Sequence, residues 1–358
     1  MQTIRVDRSR DDRVRLTAGD RILAEYVHRP ADPQLESPRP YLSPIRTLSG
    51  EVVSLYRPHD HVWHKDISWS LPVVGDENFW GGPTFVRGEG YVQLPNNGTQ
   101  RHRGFADAPA TPDASATRDA PADGRARLVE TVDWVTESGV TLFEERRTLA
   151  GVILDADATD ATDSLGAPGA PGTPSAPCAW LLGFETRMRN VTEEAIPIGS
   201  PTTRGRENAG YGGLFWRGPR SFTGGDVLAP GVVGGDELRG TRAPWMGFSG
   251  RHDGSGGAST VVMIDDPANV QHPPQWFARR DEFACLCPAP FFSEEHTVEP
   301  GETLTLRYGV VVADGASDPE RAARLAAAAS VALQDLLEAR SVHATDPAPS
   351  ADRTEGDR

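Results

Sequence analysis

At 358 residues the chain is long enough for one large domain or two small ones around a sizeable core. Hydrophobic residues make up 38%, and 37 glycines with 30 prolines favour turns and polar tracts over a helical bundle. A net charge of −15 argues against non-specific nucleic-acid or anionic-membrane binding, which needs a basic face.

No apolar run is long enough to span a bilayer, and MQTIRVDRSRDDR at the start has no apolar core of the signal-peptide kind. Three cysteines point to a reducing compartment; Cys285 and Cys287, one residue apart, read as buried thiols rather than a metal knuckle. The cytoplasm is the expected location, so the sequons at Asn97 and Asn190 carry no weight.

In chain order, Val14 to His28 alternates around a Gly-Asp pair and predicts a β-hairpin. Short strands continue from Tyr41 to Leu55, broken at Ser49-Gly50. Residues 106–124 and 155–177 are low-complexity and read as disordered insertions within one β domain, 1–315. Between them, RLVETVDWV and VTLFEERRTL flank a turn at Ser138-Gly139, a second hairpin. LLGFETRMRN, AIPIG and the central-looking strand Ser259 to Asp265 follow. From Glu295 to Asp314 come a strand, a Pro-Gly turn and a long final strand. A helix is expected within 316–340, N-capped by Asp318, and a disordered tail over 341–358. The sum is a mainly β protein, an antiparallel β-sandwich of supersandwich type with a C-terminal helix.

The chain has no P-loop, no GxGxxG after a strand, no HExxH and no GxSxG. Its densest reactive cluster is RPHDHVWHKD, Arg57 to Asp66. His59 and His61 would share a face if the segment were a strand, and His64 could join them through a turn. Converging imidazoles either bind a divalent metal or supply a proton donor and acceptor near neutral pH. Asp60 and Asp66 are candidates to orient those rings. A second cluster, Asp265 to Phe283, offers Asn269, His272, Trp276 and Arg279 on a proline-stiffened loop, a platform for a sugar or carboxylate. A third, from Arg204 to Arg220, carries Arg206, Tyr211 and Arg217 around glycines. Trp80 and Trp245 would line the same pocket or close the core.

On the motifs YLSPIRTLSG, RPHDHVWHKDI, NFWGGP, AGYGGLFWR, DDPANVQHPPQWFARR and PGETLTLRYGVVVADG, from about Arg39 to Gly315, the chain resembles a bacterial family labelled methane oxygenase PmoA. The resemblance implies a β-sandwich-like domain and places that family's pattern on Asp60, His61, His64, Pro267, Asn269, His272, Pro273, Trp276 and Arg279. His59 and the two acidic insertions depart from it. The membrane monooxygenase subunit of that name spans the bilayer several times, whereas this chain has no such span. The family resembles partners of sugar-directed oxidoreductases, and FETRMRNVTEEAIPIG with PGETLTLRYGVVV is loosely similar to galactose-mutarotase-like sandwiches.

The expected activity is therefore histidine acid–base chemistry on a sugar, sugar acid or oxidised glycoside. His61 and His64 would transfer protons beside Asp60 and Asp66; Arg46, Asn269, His272, Trp276, Arg279 and Tyr211 would hold the small carbohydrate-like ligand. Two alternatives stand beside it. One is a metal-dependent enzyme, an oxygenase included, with a divalent cation on His59, His61, His64 and His272. The other is a non-catalytic sugar-binding module.

Overall fold

The computed structural model describes residues 3–106, 126–155 and 178–338. Apart from Ala106 and Asp155, the two low-complexity tracts lie outside the described residues, as does the tail from 339 onward.

Two large antiparallel sheets form the body. In spatial order the first holds Ile4–Asp7, Arg13–Ala18, Arg21–Val27, Tyr41–Ile45, Ile67–Ser70, Gly213–Arg217, Cys285–Ala289 and Gln275–Arg279. The second holds Val232–Gly234, Asp226–Ala229, Trp245–Arg251, Ala258–Asp265, Thr303–Asp314, Ala179–Asn190, Thr141–Ile153, Ala126–Val135 and Thr99–Phe105. The hairpins at Gly19-Asp20 and Ser138-Gly139 form as the alternation predicts. The Pro300-Gly301 turn does something else. Its upstream strand, His296–Val298, pairs with Ile196–Gly199 in a small separate sheet, and only its downstream strand enters the large one.

Strand periodicity sorts side chains to opposite faces, and the final strand shows how. Leu304, Leu306, Tyr308, Val310 and Val312 point into the core between the sheets. Val311 and Ala313 point the other way, under the helix Pro319–Glu338. The sheets meet through aromatic rings: Trp69 lies 6.0 Å from both Phe184 and Tyr308, and Trp216 lies 5.5 Å from Phe248. The helix starts where Asp318 accepts a bond from the Arg321 amide at 2.7 Å, the N-cap anticipated from sequence. It buries Ala322, Leu325, Ala326, Ala329, Leu333, Leu336 and Leu337, a stripe at helical spacing, on the outer face of the second sheet. The architecture is a β-sandwich with one C-terminal helix on its back. No helix among the described residues is long and apolar enough to cross a membrane.

Among the described residues no helix lies over the outer face of the first sheet. Phe215, Phe277, Cys285, Cys287 and Ala289 point outward there, covered by Trp80, Phe283 and Phe292. Those covering residues position the site.

Candidate active site

A cavity of about 360 Å³ opens on that outer face, near the lower end of the roughly 300–1,000 Å³ of small-molecule sites. Phe215 and Phe277 reach it from the sheet. His61, Trp63 and His64 come from the loop 57–66, and Trp80 and Tyr211 from loops opposite. Tyr91, from the separate hairpin Thr84–Val86 and Gly90–Val92, stands at the rim.

The loop 57–66 is not a strand but two successive turns: the His61 amide donates to the Pro58 carbonyl, and the His64 amide to the His61 carbonyl. Three-residue spacing through a turn, rather than two-residue spacing along a strand, therefore pairs the imidazoles. His61 and His64 stack with centroids 4.6 Å apart and planes at 12°. His59 is left outside the pair, its Nδ1 accepting from Arg220 at 3.1 Å. Beneath the loop, buried Lys65 pairs with Glu36 and, at 3.2 Å, with Asp32. Arg57 also binds Glu36, and Arg39 donates to the Trp63 carbonyl at 2.7 Å. Trp63 sits against Gly81 and Gly82, both at positive φ. A Cβ on Gly82 would stand 2.8 Å from the indole ring, so NFWGGP needs glycine there.

The two imidazoles are held in opposite hydrogen-bonding states. Arg217, fully buried, donates from Nη1 to His64 Nδ1 at 2.9 Å. A guanidinium has only donors, so His64 Nδ1 accepts and its proton lies on Nε2. Burial first, then the neighbouring His61 and Arg217, holds the His64 pKa well below the usual histidine range, so the ring is neutral. His61 makes the converse contact, its Nδ1 lying 2.9 Å from Asp60 Oδ2. Burial would raise the Asp60 pKa, but the bonds from His61 and the Arg217 charge outweigh it, and the carboxyl stays well below the usual range. Asp60 is therefore an acceptor and His61 Nδ1 the donor, so Nε2 is the His61 nitrogen left for a ligand. Arg220 braces the other Asp60 oxygen.

Facing this pair are two cations and two phenols. Arg206 donates to the Tyr91 hydroxyl, which lies 2.9 Å from the Tyr211 hydroxyl. Arg279 pairs with Glu282 and lies 5.7 Å and 5.5 Å from the ring centroids of Phe277 and Phe283. Its Nε is buried without a hydrogen-bond partner among the described residues.

The cavity thus gathers His61, His64, Tyr211 and Arg279, with Asp60 behind His61, and leaves the other candidates elsewhere. Asp66 is buried beside Ser54 Oγ at 2.8 Å and does not line the cavity; burial pushes its pKa up to about 7. Trp276 is fully buried in the inter-sheet core, its indole donating to the Ala243 carbonyl at 2.8 Å. The reason is register: in Gln275–Arg279, Phe277 and Arg279 take the outward face and Trp276 and Ala278 the inward one. Asn269 spends its amide on Asp265 and on the Arg307 backbone, fastening a loop. His272 lies 2.7 Å from Asp265 and lines a different groove, with Trp245, against the helix. Arg46 donates to the Gly50 carbonyl at 3.1 Å in an open groove of its own. His59, His61, His64 and His272 form no three-ligand cluster among the described residues. Cys285 and Cys287 are buried beneath the site, and burial raises the Cys285 thiol to about 12, which keeps it protonated.

Tyr91, Phe277, Glu282, Phe283 and Trp63 carried no sequence signal as site residues; they converge only through the fold. Phe277 alone was accessible in principle, since strand alternation next to a core tryptophan names its neighbour.

Comparison with solved structures gives distant likenesses. An α-galactosidase from Lactobacillus brevis matches 82% of this chain and 38% of its own, at 9% identity and TM-score 0.33. A protein from Klebsiella pneumoniae described as an aldose 1-epimerase matches 61% of this chain and 56% of its own, at 10% identity and TM-score 0.27. The chain thus spans well under half the length of the first and little more than half of the second, and the sandwich assignment rests on its own strands. No curated protein matches it. A family model matches residues 13–327, and its description is of unknown function, not the methane-oxygenase label that the motifs suggested. The chain belongs to the family of unknown function DUF6807.

Proposed function

We propose that the cavity binds a monosaccharide-sized sugar or sugar acid and that His61 and His64 move a proton on it. The observation that carries this is the pair of opposed ring contacts: an imidazole whose Nδ1 donates to a carboxylate, stacked on a neutral imidazole whose Nδ1 accepts from a buried guanidinium. In this reading His61 Nε2 takes the proton, and the Nε2–H of His64 donates a hydrogen bond to the oxygen where charge develops. Trp63, Trp80 and Tyr211 offer apolar faces to a pyranose, and Arg206 and Arg279 offer donors to hydroxyls or a carboxylate.

The geometry also selects among reactions. Both imidazoles stand on the same wall, stacked 4.6 Å apart, so they address neighbouring atoms on one face of a ligand. That suits a syn elimination or its reverse hydration, or a proton shift between adjacent carbons. Epimerisation by two opposed bases and water-activated inverting hydrolysis need groups on opposite faces.

The test is a panel of sugars, keto-sugars and sugar acids, read by thermal shift for binding and by NMR in D₂O for exchange or elimination. His61→Gln should cut turnover about 10²–10⁴-fold with ligand affinity retained. Full turnover in His61→Gln would refute the assignment, and binding without turnover in wild type would make this a recognition module.

A further inference from the structure

We infer that His28, His102 and Glu130 form a second, separate site, one that binds a divalent cation of the zinc class and ties the two sheets together. His28 directly follows Arg21–Val27 of the first sheet; His102 and Glu130 lie on the adjacent strands Thr99–Phe105 and Ala126–Val135 of the second. The three residues each present a ligand atom, and those atoms lie within 4.8 Å of one another. Two imidazoles and a carboxylate suit zinc and its neighbours, not calcium or magnesium, which prefer oxygen alone.

An independent observation points to a ligand. His28 is 4% exposed, its ring lies with its centroid 4.3 Å from that of His102, and its Nδ1 is buried with no hydrogen-bond partner among the described residues. A His–Glu ion pair would account for His102 and Glu130, which touch each other. It would leave the His28 nitrogen facing nothing, against the rule that buried polar atoms are satisfied. A bound cation answers that. The surroundings are built as metal sites are: the other Glu130 oxygen accepts from the Tyr26 hydroxyl, and Arg147 donates to that hydroxyl at 3.3 Å. Phe105 packs against both imidazoles, 4.8 Å from His28 and 4.7 Å from His102.

The experiment uses the full-length chain without a polyhistidine tag, stripped with chelator and titrated with Zn²⁺ and Co²⁺. One ion per chain, a visible cobalt band typical of four or five nitrogen and oxygen ligands, and a zinc-dependent rise in melting temperature are expected. His28→Gln and His102→Gln should each weaken binding at least about tenfold, whereas His61→Gln should bind as wild type does. Absence of the band in wild type, equal affinity in the His28 variant, or loss of binding only in His61→Gln would overturn the assignment. Should the glutamine variants fail to fold, the wild-type cobalt spectrum decides alone, and Tyr26→Phe, which keeps all three ligands, should shift it.

Discussion

Replacing Asp60 by asparagine keeps the side chain's shape but removes the only carboxylate that Arg217 touches among the described residues. Arg217 is fully buried, 3.2 Å from Asp60, with its guanidinium carbon 3.8 Å from the centroid of the Phe283 ring. In the variant a buried cation keeps only neutral acceptors, His64 Nδ1 and the asparagine oxygen, and an aromatic face. Stranding one partner of a fully buried pair costs about 3–5 kcal/mol. The Asp60 side chain is 27% exposed, so water reaches that end of the pair and the cost falls to about 2–3 kcal/mol. For a domain of this size that is a drop of roughly 3–5 °C in melting temperature. Arg217→Met removes the stranded charge, so the Asp60→Asn/Arg217→Met double variant should lose less than the sum of the singles, with a coupling of about 1–3 kcal/mol. Urea unfolding of the four proteins measures it. The pH dependence has a fixed sign: a carboxyl held below its ordinary pKa stabilises above its unfolded value, about 4, and loses that as pH falls through the folded one. The gap between wild type and Asp60→Asn should therefore close in acid. Additive single effects, or an Asp60→Asn midpoint within about 1 °C of wild type at neutral pH, would refute the argument.

Asp66 behaves in the opposite sense. Its pKa rises from 3.8 to about 7 on burial, so the folded state holds a proton that the unfolded state has lost, and stability declines as pH climbs from about 4 to 7. The displacement is worth roughly 4 kcal/mol at most, and Asp66→Asn should flatten the profile and stabilise the protein at pH 8; an unchanged slope in thermal melts would contradict this. Trp276→Ala should cost about 3–5 kcal/mol as a core truncation while any ligand found still binds. Phe277→Leu should cost about 1 kcal/mol and weaken that ligand instead; calorimetry on the two variants would expose a reversed pattern.

The fold was legible because alternation and turn chemistry are local. The hairpins at Gly19-Asp20 and Ser138-Gly139 and the Asp318 cap need only their own neighbours. The destination of His296–Val298 was not, since its partner strand lies about a hundred residues away. The site divides the same way. His61 and His64 stood out as a cluster, and a single turn brings them together. Asn269, His272 and Trp276 stood out as strongly and serve the scaffold, because a polar or aromatic side chain beside prolines looks alike whether it faces a ligand or fastens a loop. Arg217 illustrates the limit best: that it would polarise His64, 153 residues away, depends on sheet register rather than on any motif.

The strands Gly213–Arg217, Gln275–Arg279 and Cys285–Ala289 carry two jobs on alternate residues. Trp216, Trp276 and Leu286 belong to the shared interior; Phe215 and Phe277 belong to the cavity. One consequence is evolutionary. Exchanging an outward residue would alter what the cavity can admit while the interior keeps its volume, so any specificity could drift without passing through unfolded intermediates. Within such a lineage the sandwich would persist while its ligand changed, and substrates would have to be inferred from residues 215, 277 and 279 rather than from the fold they sit on.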